Sequence, residues 1–239
     1  MILPDVAFAL LANRTATAYQ NGQPPYITYR ERTHVSAPSL GRTQDINRSV
    51  KVRVADDTAV MQDLPNGGQR TGQAFPIVPY FDPISTFNFS YFANLKRVDI
   101  TLTRGAVAYY AIPAPDPSVN VVVPYNSIWA ARYAPDSKPD ALHLLITPTP
   151  RNGPNFYPSE VVEDPQTHLF SHVEMRTVSG DEIIALDYAV IENHWVITHG
   201  AFTATEHSFG LTFQVIADVT YDQFTFPTSA PDPRLSASS

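Results

Sequence analysis

Short runs of alternating apolar and polar residues, separated by turn-forming residues, dominate this sequence from Tyr26 onward. Such alternation is typical of β-strands, because successive side chains of a strand point to opposite faces of a sheet. Most connections are too short for the crossover helices that parallel strands need, so we expect an antiparallel sheet. Nine of the runs lie in the C-terminal two thirds, at 98–103, 106–112, 119–123, 128–133, 142–147, 169–178, 183–192, 195–206 and 208–226.

Further strands are expected near the N-terminus, at 26–33, 50–54 and 58–61. The adjacent acids Asp56 and Asp57 suit a hairpin turn between the last two, and neighbouring strand residues point apart, so we do not assign them acid–base chemistry. Open sheets of this size tend to close, split or curl. We therefore expect a mainly β (α+β) fold, a strongly curved antiparallel sheet forming a half-barrel.

Two segments carry helical signals. The first begins at about Pro4 and runs to about Tyr19, where Asn21-Gly22 ends it. The second, 82–95, has an N-cap and a proline suited to a helix start, although its aromatic residues also alternate as in a strand. We interpret it as a short lid segment on the concave side of the sheet. The Pro-rich stretch between, 62–80, reads as a loop.

Composition narrows the classes of function. The 239 residues are 44% hydrophobic and 16% charged, which predicts a folded chain. A net charge of −7 without a Lys/Arg cluster argues against nucleic-acid binding. No run approaches the roughly 18 apolar residues of a membrane span, so we expect a protein peripheral to the membrane. We expect one domain over 1–230 and a flexible tail over 231–239.

No motif indicates an enzyme, a metal site or a cofactor. The chain has no cysteine, and neither a Gly-x-Ser-x-Gly turn nor a glycine-rich phosphate loop occurs. His168 and His172 would share one face of a strand, but residues so spaced are about 13 Å apart and cannot bind one ion. A site combining His172 with the next hairpin stays open as an alternative.

Aromatic residues are the strongest remaining signal, with 13 Phe, 12 Tyr and 2 Trp. Several of them fall in the lid segment or on strands, where they could line a cavity for a hydrophobic ligand. The alternative is that they fill the core between helix and sheet. The candidate ligand-binding residues are Phe87, Phe89, Tyr91, Phe92, Trp129 and Trp195.

The order of these elements resembles the LolA-like superfamily, the outer-membrane lipoprotein carriers and their relatives. The resemblance covers roughly residues 4–230 and includes the turn Glu163-Asp164-Pro165-Gln166-Thr167, which introduces paired strands, and the strand with Trp195 before the closing strand. It implies an incomplete barrel with a helical lid around an apolar cavity for acyl chains or, in regulatory relatives, a lipoprotein signal. The long Pro-rich loop near 62–83 departs from that pattern.

The leading hypothesis is a non-enzymatic cell-envelope protein that binds a lipid or a lipidated polypeptide in the concave face. Localisation would be periplasmic or otherwise exported, with the signal absent from these residues. A second hypothesis is an envelope structural or sensory domain that binds a partner protein through the same sheet. A third, less favoured, is a metal-dependent hydrolase.

Overall fold

The computed structural model describes residues 4–73, 78–81, 83–86, 109–113, 120–124, 129–148, 156–208 and 211–236. Among the described residues strand accounts for 59% and helix for 13%, so the predicted mainly β fold with an N-terminal helix is confirmed. The elements are α1 (Pro4–Asn21), β1 (Tyr26–Ala37), β2 (Arg42–Arg53), β3 (Thr58–Asp63), β4 (Gln69–Gln73), α2 (Pro83–Thr86), β5 (Tyr109–Pro113), β6 (Asn120–Pro124), β7 (Trp129–Tyr133), β8 (His143–Pro148), β9 (Phe156–Glu163), β10 (Phe170–Thr177), β11 (Glu182–Ile191), β12 (His194–Ser208) and β13 (Leu211–Thr225).

The chain divides into two compact units. The first contains residues 1–18 and 82–180, and the second contains residues 19–81 and 181–239. In the first unit β10, β9, β8 and β7 pair in that order, and β5 pairs with β6 separately. In the second unit the order is β4-β3-β2-β1-β13-β12-β11. Each pairing within the units is antiparallel, as the short connections predict.

In the first unit, α1 packs against β10. Phe8 and Phe170 stack with their ring centroids 6.4 Å apart. Thr15, which is fully buried, donates a hydrogen bond to the Leu11 carbonyl at 3.0 Å and accepts one from the Phe170 amide at 3.1 Å. The helix can approach this closely because its buried face also carries small residues, namely Ala7, Ala12 and Ala16.

Glu163 anchors the turn between β9 and β10 in the same unit. Its carboxylate is buried, and it pairs with Arg14 at 3.1 Å and with His168 Nδ1 at 3.0 Å while accepting from the Leu142 amide at 3.1 Å. In the turn itself, Asp164 Oδ1 accepts from two following backbone amides at 2.7 and 2.9 Å. This carboxylate therefore satisfies donors that the turn would otherwise leave unpaired.

The β2–β3 hairpin confirms the predicted turn at the paired acids. Arg53 Nη2 lies 2.6 Å from the Asp56 carboxylate, and its hydrogen bonds, opposed by partial desolvation, hold the pKa of Asp56 well below its usual range. Asp57 adopts φ = 57° and accepts from the Tyr80 hydroxyl at 2.7 Å. The Asp56 carboxylate therefore holds the turn, whereas the Asp57 carboxylate connects the turn to Tyr80.

In the described part of the chain, two strands lie where no strand was predicted. β4 occupies part of the expected loop 62–80, and β9 falls between two predicted strands. β4 reads Gln-Arg-Thr-Gly-Gln, so it has no apolar alternation, and its backbone pairing with β3 defines it. Of the expected lid, α2 covers only Pro83–Thr86, while residues 82 and 87–95 lie outside the described residues, as does the strand expected at 98–103.

Residues 231–236, the described part of the expected tail, contact the second unit. Residues Pro233–Leu235 form a short 3-10 turn capped by Asp232, which accepts from the Arg234 amide at 3.1 Å. Leu235 is fully buried, and its carbonyl accepts from Arg53 Nη1 at 3.1 Å. A single apolar side chain and one cap therefore order this Ser- and Pro-rich sequence.

None of the helices in the described part of the chain is long and apolar enough to cross a membrane.

Candidate functional site

The second unit presents one largely apolar sheet face, which we call the apolar face. It is formed by every second residue of β1, β2, β11, β12 and β13, because residues directly opposite in an antiparallel pair share a face. Along β1 these residues change from buried, at Ile27, Tyr29 and Glu31, to half-buried, at Thr33 and Val35. The face therefore has a packed end and a more open end.

Aromatic rings close the packed end. Tyr29 and Tyr221 meet edge to face with centroids 5.5 Å apart, and both are almost fully buried. Burial raises the pKa of both phenols well above the ordinary value, so both stay neutral. This end of the face is a filled core.

Gly200 lies on the apolar face between Leu186 and Val219, its direct partners on the neighbouring strands. A Cβ atom at this position would lie 3.1 Å from Val219 Cγ1 and 3.2 Å from Leu186 Cδ2. The missing side chain therefore lets the two branched residues cover the strand between them.

A buried ion pair crosses the apolar face. Glu31 and Arg48 are direct partners on β1 and β2, and the side chains are only 7% and 11% exposed. Arg48 donates to Glu31 Oε2 from Nε at 2.9 Å and lies 2.8 Å from it at Nη2, while Thr33 donates to Oε1 at 3.0 Å. Both carboxylate oxygens are thus engaged, which offsets the cost of burying the charge.

Beyond the ion pair, four strands contribute an apolar row that is only half-buried. The strand registers place Val35 opposite Ala217, Ala217 opposite Phe202, and Phe202 opposite Ile184. Each of the four is half-buried, whereas Leu186 and Gly200 in the preceding row are buried. The side chains present apolar atoms and no titratable group, so this row can hold an apolar chain but offers no chemistry. We call these four residues the apolar row.

Trp195, one of the predicted ligand-binding residues, belongs to an aromatic cluster. It stacks on Tyr188 at 3.9 Å between centroids and meets Tyr19 edge to face at 6.2 Å. The Tyr19 hydroxyl donates to the Tyr80 carbonyl at 2.7 Å. Only 5% of the Trp195 surface is exposed.

The other predicted ligand-binding residues are placed only in part. Trp129 is the first residue of β7 in the first unit, opposite Pro148 on β8, and its side chain lies outside the description. Phe87, Phe89, Tyr91 and Phe92 lie outside the described residues altogether. The role of all six in binding a ligand stays a prediction.

The opposite side of the same strands, here called the polar face, carries acids and histidines. A depression of about 280 Å³ on the second unit is lined in part by Arg32, His34, Asp45 and Asp218. His34 Nδ1 lies 2.7 Å from Asp45, and His199 lies 2.9 Å from both Asp187 and Asp218. The two faces of one sheet therefore differ sharply in chemistry.

The described residues contain no group of three or more His, Asp or Glu side chains arranged to hold a metal ion. Of the two histidines considered above as metal ligands, His168 forms a hydrogen bond with Glu163, and its Nδ1 lies 3.0 Å from Glu163 Oε1. Neither the apolar row nor the acid–histidine pairs were predicted from the sequence. The sequence shows the alternation along each strand. It does not show the strand registers that place Val35 and Phe202 in one row, or Asp187 opposite His199.

Comparison with known proteins gives likenesses of fold at low identity. No protein-family model matches the sequence, and no curated protein matches it. Among solved structures, a DUF1329 family protein from Desulfovibrio piger is 8% identical with a TM-score of 0.45, covering 98% of each chain. A LolA superfamily protein from Nitrosomonas europaea is 10% identical, TM-score 0.41, covering 95% of this chain and 97% of its own. An outer membrane lipoprotein-sorting protein domain from Vibrio parahaemolyticus is 12% identical, TM-score 0.43, with the same coverage.

Proposed function

We propose that this protein binds the acyl chain of a lipid or of a lipidated polypeptide on the apolar face of its second unit, without catalysing a reaction. The observation that carries the proposal is the apolar row, Val35, Ala217, Phe202 and Ile184, which is aligned across four strands yet only half-buried. Burying one methylene contributes about 0.8 kcal/mol. A chain of six or seven carbons along the row would therefore gain enough to bind without any polar contact.

The charged groups of the apolar face support a binding role over a catalytic one. Glu31 is held by Arg48 and Thr33, so its carboxylate is already committed to structural contacts. The sequence resemblance to lipoprotein carriers supports the same interpretation. We propose accordingly that the protein acts in the cell envelope, exported and peripheral to the membrane. The second candidate, a partner protein in the envelope, is an outcome of the experiment below.

The test compares two apolar substitutions on opposite faces. Phe202→Ser removes the largest member of the apolar row, whereas Ile216→Ser removes an exposed apolar residue of β13 that points to the polar face. Native mass spectrometry of the gently purified protein, with lipid extraction and titration with a fluorescent fatty acid, measures binding. We expect one bound acyl ligand per chain, and an affinity loss of about 10- to 100-fold in Phe202→Ser, because that ring no longer contributes its buried area.

The control should leave fatty-acid affinity within about twofold of the unsubstituted protein, since Ile216 does not face the ligand. Equal losses in both variants would show that the ligand does not lie on the apolar face. A protein that carries no lipid and takes up none overturns the proposal. If Phe202→Ser then also weakened capture of an envelope protein, the partner-binding function would replace it.

A further inference from the structure

Five side chains on the polar face form a row in which acids and histidines alternate. From β2 to β11, one from each strand, they are Asp45, His34, Asp218, His199 and Asp187. Strand register puts His34 directly opposite both Asp45 and Asp218, and puts His199 directly opposite Asp187. Asp218 reaches His199 diagonally, 2.9 Å from Nε2. We call these five residues the acid–histidine row.

His199 is the member that bonds at both ring nitrogens. Nδ1 lies 2.9 Å from Asp187 Oδ2 on one neighbouring strand, and Nε2 lies 2.9 Å from Asp218 Oδ2 on the other. A carboxylate only accepts hydrogen bonds, and a neutral imidazole has only one N–H to donate. The neutral ring can satisfy one carboxylate, whereas the imidazolium donates to both. The geometry therefore favours the protonated ring.

The other charged groups of the polar face do not remove the preference for a protonated His199 ring. Arg32 on β1 is paired with Asp222 of β13, and Arg30 donates to Asn47 at 3.0 Å. On the strands that flank His199, the groups facing it are the carboxylates Asp187 and Asp218, and Asp222 follows further along β13. The hydrogen bond that the His199 ring donates to Asp218, opposed by partial desolvation and helped by the hydrogen bond to Asp187, raises the pKa of His199 above its ordinary value.

His199 also lies next to a β-bulge, and this bulge affects the apolar face of the sheet. The register between β11 and β12 shifts between Asp187 and Tyr188, so that Tyr188 pairs with Ile197. Such a bulge redirects the side chains that follow it, here Tyr188 toward its stack on Trp195. Gly200, next in the chain, is the close contact beneath Leu186 and Val219. The hydrogen bonds of His199 on the polar face therefore stabilise β12 next to the residues that pack on its apolar face.

We propose that His199 is a pH-responsive clamp that holds β11, β12 and β13 together when its ring is protonated, so that mild acidification strengthens this part of the sheet. Because the folded protein holds the proton more tightly than the unfolded chain, the stabilisation is complete below the unfolded value of about 6.5. It is lost as the pH rises through the higher folded value.

The test measures titration and local opening in the same protein. Nuclear magnetic resonance follows the imidazole signals between pH 5 and 9, and native-state hydrogen exchange, corrected for intrinsic rates, compares pH 6 with pH 8. We expect His199 to titrate above 6.5 and the β12 amides near it to be several-fold better protected at pH 6. Amides in β3 and β4 of the second unit, two paired strands whose sequences contain no histidine, provide an internal reference.

Three variants separate the clamp from a general effect. His199→Gln keeps one amide donor but cannot titrate, so the pH dependence of β12 protection should disappear. Asp218→Asn should lower the titration midpoint of His199 toward 6.5 without removing the ring. His194→Gln is the matched control, since that ring faces the Gly22 carbonyl and not a carboxylate, and it should leave the β12 response intact.

The proposal is overturned if His199 titrates at or below 6.5, or if His199→Gln retains the pH dependence of β12. Should His199→Gln fail to fold, Asp218→Asn and the direct titration decide the question alone. None of these measurements involves a lipid, so their outcome does not depend on whether the protein binds an acyl chain.

Discussion

At the scale of single residues, the second unit keeps a charged pair inside an apolar surface. Removing an ion from water costs several kcal/mol, and the attraction of a partner repays this only when the geometry is good. Arg48 and Glu31 meet that condition, with two guanidinium nitrogens within 2.9 Å of one carboxylate oxygen and Thr33 on the other. The pair therefore adds little net stability, but losing one member is costly.

Substituting one member of this pair should destabilise the protein far more than substituting both. We expect Glu31→Gln to lower the free energy of unfolding by about 3 kcal/mol, because Arg48 is left buried without its counter-ion. The double variant Glu31→Leu with Arg48→Met should lie within about 1 kcal/mol of the unsubstituted protein, or above it. Urea unfolding followed by fluorescence measures both. A single variant as stable as the double variant would contradict the argument.

At the scale of elements, β12 illustrates how a missing side chain shapes a strand. Glycine in a strand normally weakens it, yet Gly200 lies on an internal strand of the second unit's sheet, between β13 and β11. Its neighbours explain this, since Leu186 is fully buried and Val219 is a β-branched residue with restricted rotamers. Both close over the glycine, so the strand gains packing that a Cβ would block.

Gly200→Ala should accordingly destabilise the protein by about 1–2 kcal/mol, because neither neighbour can move away without losing contacts. Adding Val219→Ala removes the nearest atom, Val219 Cγ1, and should recover part of the loss. Unfolding of the single and double variants forms a complete cycle with Val219→Ala alone. Simple additivity of the two changes would show that the close contact is not the cause.

At the scale of the whole molecule, the segment at 231–236 is part of the folded structure. Leu235 is fully buried although it lies within a segment of Pro, Ser and Asp, and Arg53 binds its carbonyl. We expect Leu235→Ala to lower the free energy of unfolding by about 2 kcal/mol. Ser236→Ala, at an exposed neighbour, should change it by less than about 0.5 kcal/mol. Equal stability of the two variants would mean that the segment contributes nothing.

Histidines paired with carboxylates occur in both units. In the first, His143 bonds Asp136 at 2.7 Å and Glu160 at 2.9 Å, much as His199 does in the second. Sequence alone did not reveal these pairs, since the partners come from separate strands and turns. It did reveal the turn at Asp56, whose partner Arg53 is only three residues away.

What the sequence determined by itself was local: the alternation that makes most strands, the N-terminal helix, the turn at Asp56 and the antiparallel connections. These follow from interactions between residues close in the chain, so a single segment carries enough information. Tertiary structure alone decided that polar β4 is a strand, that Leu235 is buried, and that Val35, Ala217, Phe202 and Ile184 lie in one row. A strand's register is fixed by pairing across the sheet, and a slip of one residue moves every side chain to the other face.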